Sequence, residues 1–300
     1  MRQATGGIPA AGLGLALLLA LVLLPRRAGS GDWHAGASSV CSDCHTMHNS
    51  SAGAPMRYDH DPQASPRLLR HATSLSLCIH CHDGSVPGAP DVIAPVGYVD
   101  DPAGGFFPTT WSTASGTAHV LGGDALPPPG GTQPMSLTCL SCHDPHGGPG
   151  FRNLRPDPLG TGASLTVTAK DRVKPDGTNP AAVYVAGNVI YRSGLAAWCG
   201  ACHGEFHGRS AQEEGTTRPW LRHPQDEPLS TSRHADYTYW LGSLPNRVRV
   251  QSPDDDDVPT ADDQVFCLSC HKAHGSANRA ALVFADGARL GSTCAQCHNE

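Results

Sequence analysis

Residues 41–48 read Cys-Ser-Asp-Cys-His-Thr-Met-His, and residues 139–146 read Cys-Leu-Ser-Cys-His-Asp-Pro-His. The core of both, Cys-x-x-Cys-His, recurs along the chain. The first three copies are Cys41, Cys44 and His45, then Cys78, Cys81 and His82, then Cys139, Cys142 and His143. The last three are Cys199, Cys202 and His203, then Cys267, Cys270 and His271, then Cys294, Cys297 and His298. Together the six copies absorb all 12 cysteines. The spacing has a chemical meaning. Two thiols separated by two residues reach the two vinyl groups on one edge of a porphyrin and add to them as thioethers. The next residue then lies under the iron, and a histidine there is its proximal ligand. The six copies imply six covalently bound haem c groups.

Other uses of cysteine fit less well. Zinc ribbons pair two Cys-x-x-Cys motifs on one metal and need no histidine after each. Disulfides suit an exported chain but leave the six histidines unexplained. Thioredoxin-like redox pairs occur once per domain.

An electron-carrying haem needs a ligand on each face. Of the 17 histidines, 11 lie outside the proximal set. Only Met47, Met56 and Met135 remain after export, so histidine is the expected distal ligand throughout, favouring low potentials relative to Met/His ligation. His48, His146 and His274 each follow a proximal histidine by three residues, and His207 follows His203 by four. Residues at these spacings share one face of a helix. A side chain one turn away cannot pass around the ring to the opposite face of the same iron, so each is expected to serve a different, nearby haem. His34, His119 and His223 complete the distal candidates. His60, His71, His80 and His234 are left over.

The composition is that of a loop-rich chain: 34 glycines and 26 prolines, with only 6% aromatic residues. Residues 1–30 read as an export signal, with Arg2, an uncharged run over 10–24 and Ala28-Gly29-Ser30 at the cut. Arg26 and Arg27 directly after the run leave an uncleaved anchor as the alternative, and no later segment is expected to span a membrane. Removing this segment takes away three arginines and no acid, moving the formal charge from −6 to −9. That balance argues against nucleic acid and anionic lipid as partners.

First cysteines of successive motifs are 37, 61, 60, 68 and 27 residues apart, so a motif repeats without a fixed period. Gly122 to Gly131 and Pro245 to Asp263 read as loops, Ala181 to Tyr191 as short strands, and short helices are expected after several motifs. The acidic run Asp254 to Asp257 reads as a solvated turn, with a calcium loop as the alternative. Residues 31–300 are expected to form one hexahaem domain. It is mostly irregular, with short helices and few short strands, and is organised around a continuous haem stack that replaces a conventional core. Without haem such a chain should not fold.

The start of the mature chain, Trp33-His34 through Cys41-Ser-Asp-Cys-His-Thr-Met-His-Asn-Ser, resembles the hexahaem outer-surface cytochromes of the OmcS type. The resemblance continues through Cys139-Leu-Ser-Cys-His-Asp-Pro-His-Gly, Trp198-Cys-Gly-Ala-Cys-His with Leu221-Arg-His-Pro, Cys267-Leu-Ser-Cys-His-Lys-Ala-His and Cys294-Ala-Gln-Cys-His. It implies little regular secondary structure, a stack of bis-histidine haems and polymerisation into extracellular nanowires. It further implies that His48 ligates the fifth haem, on Cys267 and Cys270, of a neighbouring subunit. Departures from the type are a shorter segment between His223 and Cys267, the additional His60, His71 and His80, and no histidine between His82 and His119. The ligand of the second haem stays open at this point.

The leading reading is a secreted, outer-surface subunit of an electron-conducting homopolymer, exchanging electrons with other cytochromes or extracellular acceptors. A monomeric periplasmic or outer-surface shuttle is the nearest alternative, and a multihaem reductase with one open iron is the third. Spare histidines and the absence of any Cys-x-x-Cys-Lys site favour electron transfer without catalysis.

Overall fold

The computed structural model describes residue 34 and residues 39–93, 104–108, 116–124, 126–128, 134–171, 189–204, 225–228, 250–253 and 262–283. The described chain is mostly irregular, with short helices and three two-stranded antiparallel sheets. Helix α1 spans Cys41–Cys44, α2 Ser74–His82, α3 Cys139–Cys142, α4 Leu195–Gly200 and α5 Cys267–Cys270. The sheets pair β1 (Ser50–Ser51) with β2 (Ala54–Pro55), β3 (Thr168–Asp171) with β4 (Val189–Ser193), and β5 (Glu227–Pro228) with β6 (Gln264–Val265). Of the strand expected over Ala181 to Tyr191, the described part lies in β4; residues 172–188 fall outside the described residues. Among the described residues no helix is long and apolar enough to cross a membrane.

Short helices are expected after several motifs; among the described residues 3-10 turns follow the first, third and fifth, and in those three the Cys-x-x-Cys run is itself a one-turn helix. The sequence explains why α1, α3 and α5 start where they do. The residue before the second cysteine is Asp43, Ser141 or Ser269, and its side chain accepts the amide of the residue before the first cysteine, at 2.8, 3.0 and 3.2 Å. This is the N3 half of a capping box, which satisfies an amide at the start of each helix. Each turn closes on the motif histidine, whose amide donates to the first cysteine's carbonyl at 2.9–3.0 Å in His45, His143 and His271. These histidines have extended backbones, so the helix ends there and His48, His146 and His274 lie on no helical face. In the second motif, α2 runs through both cysteines, capped by the Thr73 hydroxyl accepting the Ser76 amide at 3.0 Å.

A small apolar cluster joins the later motifs. Val167, Tyr191, Leu195, Phe266 and Leu268 are buried together, with Phe151, Leu154, Ala169, Trp198 and Cys199 packed around them. Phe266 and Leu268 flank Cys267, Leu195 and Trp198 precede Cys199, and Phe151 and Leu154 follow His143. Burying each large side chain contributes roughly 1.5–3 kcal/mol, so this cluster locks three motifs to one another. Composition alone points to no such protein core beside the haems.

Candidate haem-binding site

The first, third and fifth motifs share a second element. A 3-10 turn returns to each: Pro66–Leu68, Phe151–Asn153 and Arg279–Ala281. Two consecutive residues in each carry positive φ: Arg67 and Leu68, Arg152 and Asn153, Ala280 and Ala281, all at 53–64°. That conformation costs a non-glycine residue about 1–2 kcal/mol. What it achieves is the orientation of two successive carbonyls. The first accepts from the motif histidine's Nδ1–H: His45 donates to Arg67 at 3.1 Å, His143 to Arg152 at 2.9 Å and His271 to Ala280 at 2.8 Å. The second accepts the next amide, from Thr46, Asp144 and Lys272, each at 2.8 Å. His82 reaches the same state differently, donating Nδ1–H to the Pro90 carbonyl at 2.9 Å. In all four, the Nδ1 bond fixes the tautomer and leaves Nε2 as the basic nitrogen for a metal.

The imidazoles stand in pairs across the fold. Ring centroids are 6.1 Å apart in His45 and His146, 6.1 Å in His34 and His82, 6.3 Å in His143 and His274, and 6.1 Å in His119 and His203. A metal–imidazole nitrogen bond is about 2.0–2.1 Å and the centroid lies ~1.1 Å further back, so two imidazoles on opposite faces of one metal have centroids roughly 6.3 Å apart. Each pair joins one proximal candidate to one distal candidate. His146 stands opposite the histidine of the first motif and not of its own, and His274 opposite that of the third. His34 stands opposite His82, the position left open by the sequence. His34 and His119 are aimed alike, through Nδ1 bonds to the carbonyls of Pro145 (3.4 Å) and Ala273 (2.6 Å), each the residue preceding a paired histidine.

His274 is held by two chain segments. Its amide donates to Gly104 at 2.6 Å, its carbonyl accepts the His119 amide at 3.2 Å, and Phe107 stacks on its ring at 4.8 Å. Gly105 permits this approach: a Cβ there would collide with the Gly275 carbonyl. Burial, with His143 beside it, pushes His274 down to about 3. Burial also pushes His143, His119 and His82 down. These rings are therefore neutral at physiological pH, the form a metal binds.

The cysteines of neighbouring motifs meet in turn. The Cys78 thiol hydrogen-bonds with Cys139, and Cys199 with Cys267. Burial pushes Cys44 up, with Cys81 beside it adding to the effect, and pushes Cys142 up to about 11, with Cys202 beside it. Consecutive motifs therefore approach edge to edge, first through fifth. All ten described motif cysteines are free of disulfides. Free thiols in pairs, histidines with Nε2 available and opposed imidazoles fit covalently held haem, and among the described residues no cluster of three or more metal-binding side chains suits a bare ion.

Two expected ligands have no opposite ring among the described residues. His48 and His271 are both exposed. His60 is exposed too, while His80 stacks on Tyr58 at 4.0 Å and His71 packs tilted against both rings at 5.6 and 5.2 Å. His207, His223 and His234 lie outside the described residues. So does the whole sixth motif: the expected haem anchors Cys294 and Cys297 and the expected proximal ligand His298 are not among the residues the structure describes. The positive-φ turns were missed in the sequence; a leucine eleven residues after both His143 and His271 (Leu154 and Leu282) is the signal that marks them.

Residues 258–300 match a family described as a doubled CXXCH motif. The chain is 25% identical to the C-type cytochrome OmcS of Geobacter sulfurreducens, across 81% of this chain and 78% of that one. Its backbone is similar to the Outer Membrane Cytochrome S filament of Geobacter sulfurreducens, with a TM-score of 0.55, 21% identity and coverage of 87% and 85% of the two chains. It is similar also to the OmcS nanowires of the same organism, with a TM-score of 0.52, 20% identity and coverage of 83% and 84%. Motif and local geometry are those that would hold haem c covalently, as in the multihaem c-type cytochromes that the chain is similar to. Within that class, its likeness in sequence and backbone is to the OmcS type.

Proposed function

We propose that this chain is an exported electron conductor that carries six bis-histidine haems and polymerises at the cell exterior. Residues 1–30 act as its export signal and residues 31–300 as one hexahaem domain. Each haem supplies a one-electron carrier, and the protein's work is to hold, space and ligate them. The single observation that carries this reading is the set of four opposed imidazole pairs at 6.1–6.3 Å. On it, His45 and His146 ligate the first iron, His82 and His34 the second, His143 and His274 the third, and His203 and His119 the fourth. His271 is the proximal ligand of the fifth. The sixth haem is anchored by Cys294 and Cys297, with His298 as its proximal ligand. His207 and His223 remain the internal candidates for distal ligation.

Ligands drawn from distant motifs tie neighbouring haems to a common stretch of backbone, which keeps electron-transfer distances short. Filling both faces of each iron leaves no open position for substrate, and so favours electron transfer over a reductase.

Polymerisation rests on a different observation. His48 and His271 are exposed, and no described imidazole stands opposite either. On this reading His48 of one subunit ligates the fifth haem of the next, making assembly a coordination reaction. The relatives' filament and nanowire assemblies support it. Negative-stain microscopy of the exported protein and of His48→Ala tests it: filaments for the first and monomers for the second are expected, and a His48→Ala variant that still polymerises overturns the cross-subunit ligation.

A further inference from the structure

The three similar turns keep their geometry but not their charge. After each turn a leucine (Leu69, Leu154 or Leu282) forms a β-bridge to the motif histidine, and the next residue donates its amide to the second cysteine's carbonyl: Arg70 to Cys44, Arg155 to Cys142 and Val283 to Cys270, each at 2.9 Å. The two arginines then fold back onto the one-turn helix. Arg70 Nη1 donates to the Ser42 carbonyl at 3.2 Å, and Arg155 Nη1 to the Leu140 carbonyl at 2.9 Å. Arg70 is further fixed by donation from Nε to Met56 at 2.9 Å and from Nη1 to the Tyr58 hydroxyl at 3.0 Å, with its guanidinium 4.0 Å above the Tyr58 ring. Val283 occupies the same backbone position with no charge. Since the fifth motif forms the same turn without an arginine, helix capping alone does not explain why the first and third carry one.

We propose that Arg70 and Arg155 are potential-setting residues: fixed cations at the thioether edges of the first and third haems that raise their reduction potentials, an influence the fifth haem lacks because Val283 stands there. This rests on the haem reading above. The physical basis is Coulombic. Reduction removes one positive charge from the iron centre, so a nearby fixed cation favours the reduced form. Arg70 is half-buried and braced by four hydrogen bonds to named partners, whereas Arg155 is exposed. The influence of Arg155 is therefore the more strongly screened by salt.

Spectroelectrochemical titration of the holoprotein, at low and high salt, compares the wild type with Arg70→Gln, Arg70→Lys, Arg155→Gln and Val283→Arg. Arg70→Gln should move about a sixth of the haem absorbance change to lower potential at both salt levels, and Arg70→Lys should restore it. Arg155→Gln should give a smaller downward shift that fades in high salt, and Val283→Arg an upward shift. Curves that overlay the wild type with haem content unchanged overturn the proposal. So does an Arg70→Lys variant as altered as Arg70→Gln, which would make the role one of hydrogen-bonded packing. Should Arg70→Gln fail to mature, Arg155→Gln and Val283→Arg carry the test. A haemochrome assay on the wild type separates this from the parent reading: missing haem overturns that reading, whereas unshifted curves at full haem content overturn this proposal alone.

Discussion

The rings of His143 and His274 stand 6.3 Å apart, centroid to centroid, although each follows a different Cys-x-x-Cys motif. His274 lies three residues beyond the proximal histidine of the fifth motif, yet faces that of the third. His146, three residues beyond His143, faces His45 in the same way. The histidines of these motifs thus link the first site to the third and the third to the fifth.

Removing a distal ligand should therefore damage a haem other than the one on its own motif. On the proposed ligation, His274→Ala would strip the third iron, on Cys139 and Cys142, of its sixth ligand and spare the fifth. Absorption and resonance Raman spectra should show about a sixth of the haem turning high-spin. Proton contacts between the hyperfine-shifted haem resonances and the motif cysteines, read by NMR, would place the change, and a high-spin haem on Cys267 and Cys270 would contradict the pairing.

The turn carbonyls that orient the proximal rings give a second outcome. Ala280 has φ 55°, which proline cannot adopt. Ala280→Pro should withdraw the acceptor of His271 Nδ1–H and weaken ligation at the fifth site by about 10–100-fold, as loss of a metal ligand's outer partner typically does. A haem-staining and spectral comparison with the wild type checks it. An Ala280→Gly variant keeps the turn and should keep the spectrum.

Gly105 marks the place where the 104–108 segment passes closest to the His274 loop. A methyl group there meets the Gly275 carbonyl and the Lys272 side chain, so Gly105→Ala must push the two segments apart. The ring pairs His143 with His274 and His119 with His203 both depend on that loop. Loss of low-spin character at two sites is expected, against no change for Gly53→Ala, where the added Cβ meets nothing within 4 Å. Because Gly53 also has positive φ, that control isolates the collision from backbone strain.

Phe266 is fully buried at the centre of the cluster that joins the third, fourth and fifth motifs. Phe266→Ala should cost about 3–5 kcal/mol. Chemical denaturation followed at the haem absorbance band measures it. A loss under about 1 kcal/mol would mean that the haems alone supply the core, as composition first implied.

The chemistry was legible in the sequence because it is local. Six copies of a five-residue pattern mark the cysteines and histidines proposed to anchor and ligate haem without any knowledge of the fold. His146 and His274 stand beside histidines of other motifs and not their own, whereas the helical premise behind that expectation fails: the backbone is extended at His143 and His271. What the sequence could not reveal was pairing at long range. His34 meets His82 and His119 meets His203 through loops whose course depends on positive-φ turns at Arg152 or Ala280, where no glycine advertises them. The small cluster around Phe266 was hidden for a related reason, since its buried members come from the residue before β3, from β4, from α4 and from the fifth motif and form no periodic pattern.

The account rests on iron porphyrin tethered at every motif, from Cys41 and Cys44 to Cys294 and Cys297, and intact-mass measurement of the exported chain tests that most directly. The result required is the mass of residues 31–300 plus six haems, from a red protein. A colourless product, or a mass equal to the bare polypeptide or to fewer than six additions, would contradict it.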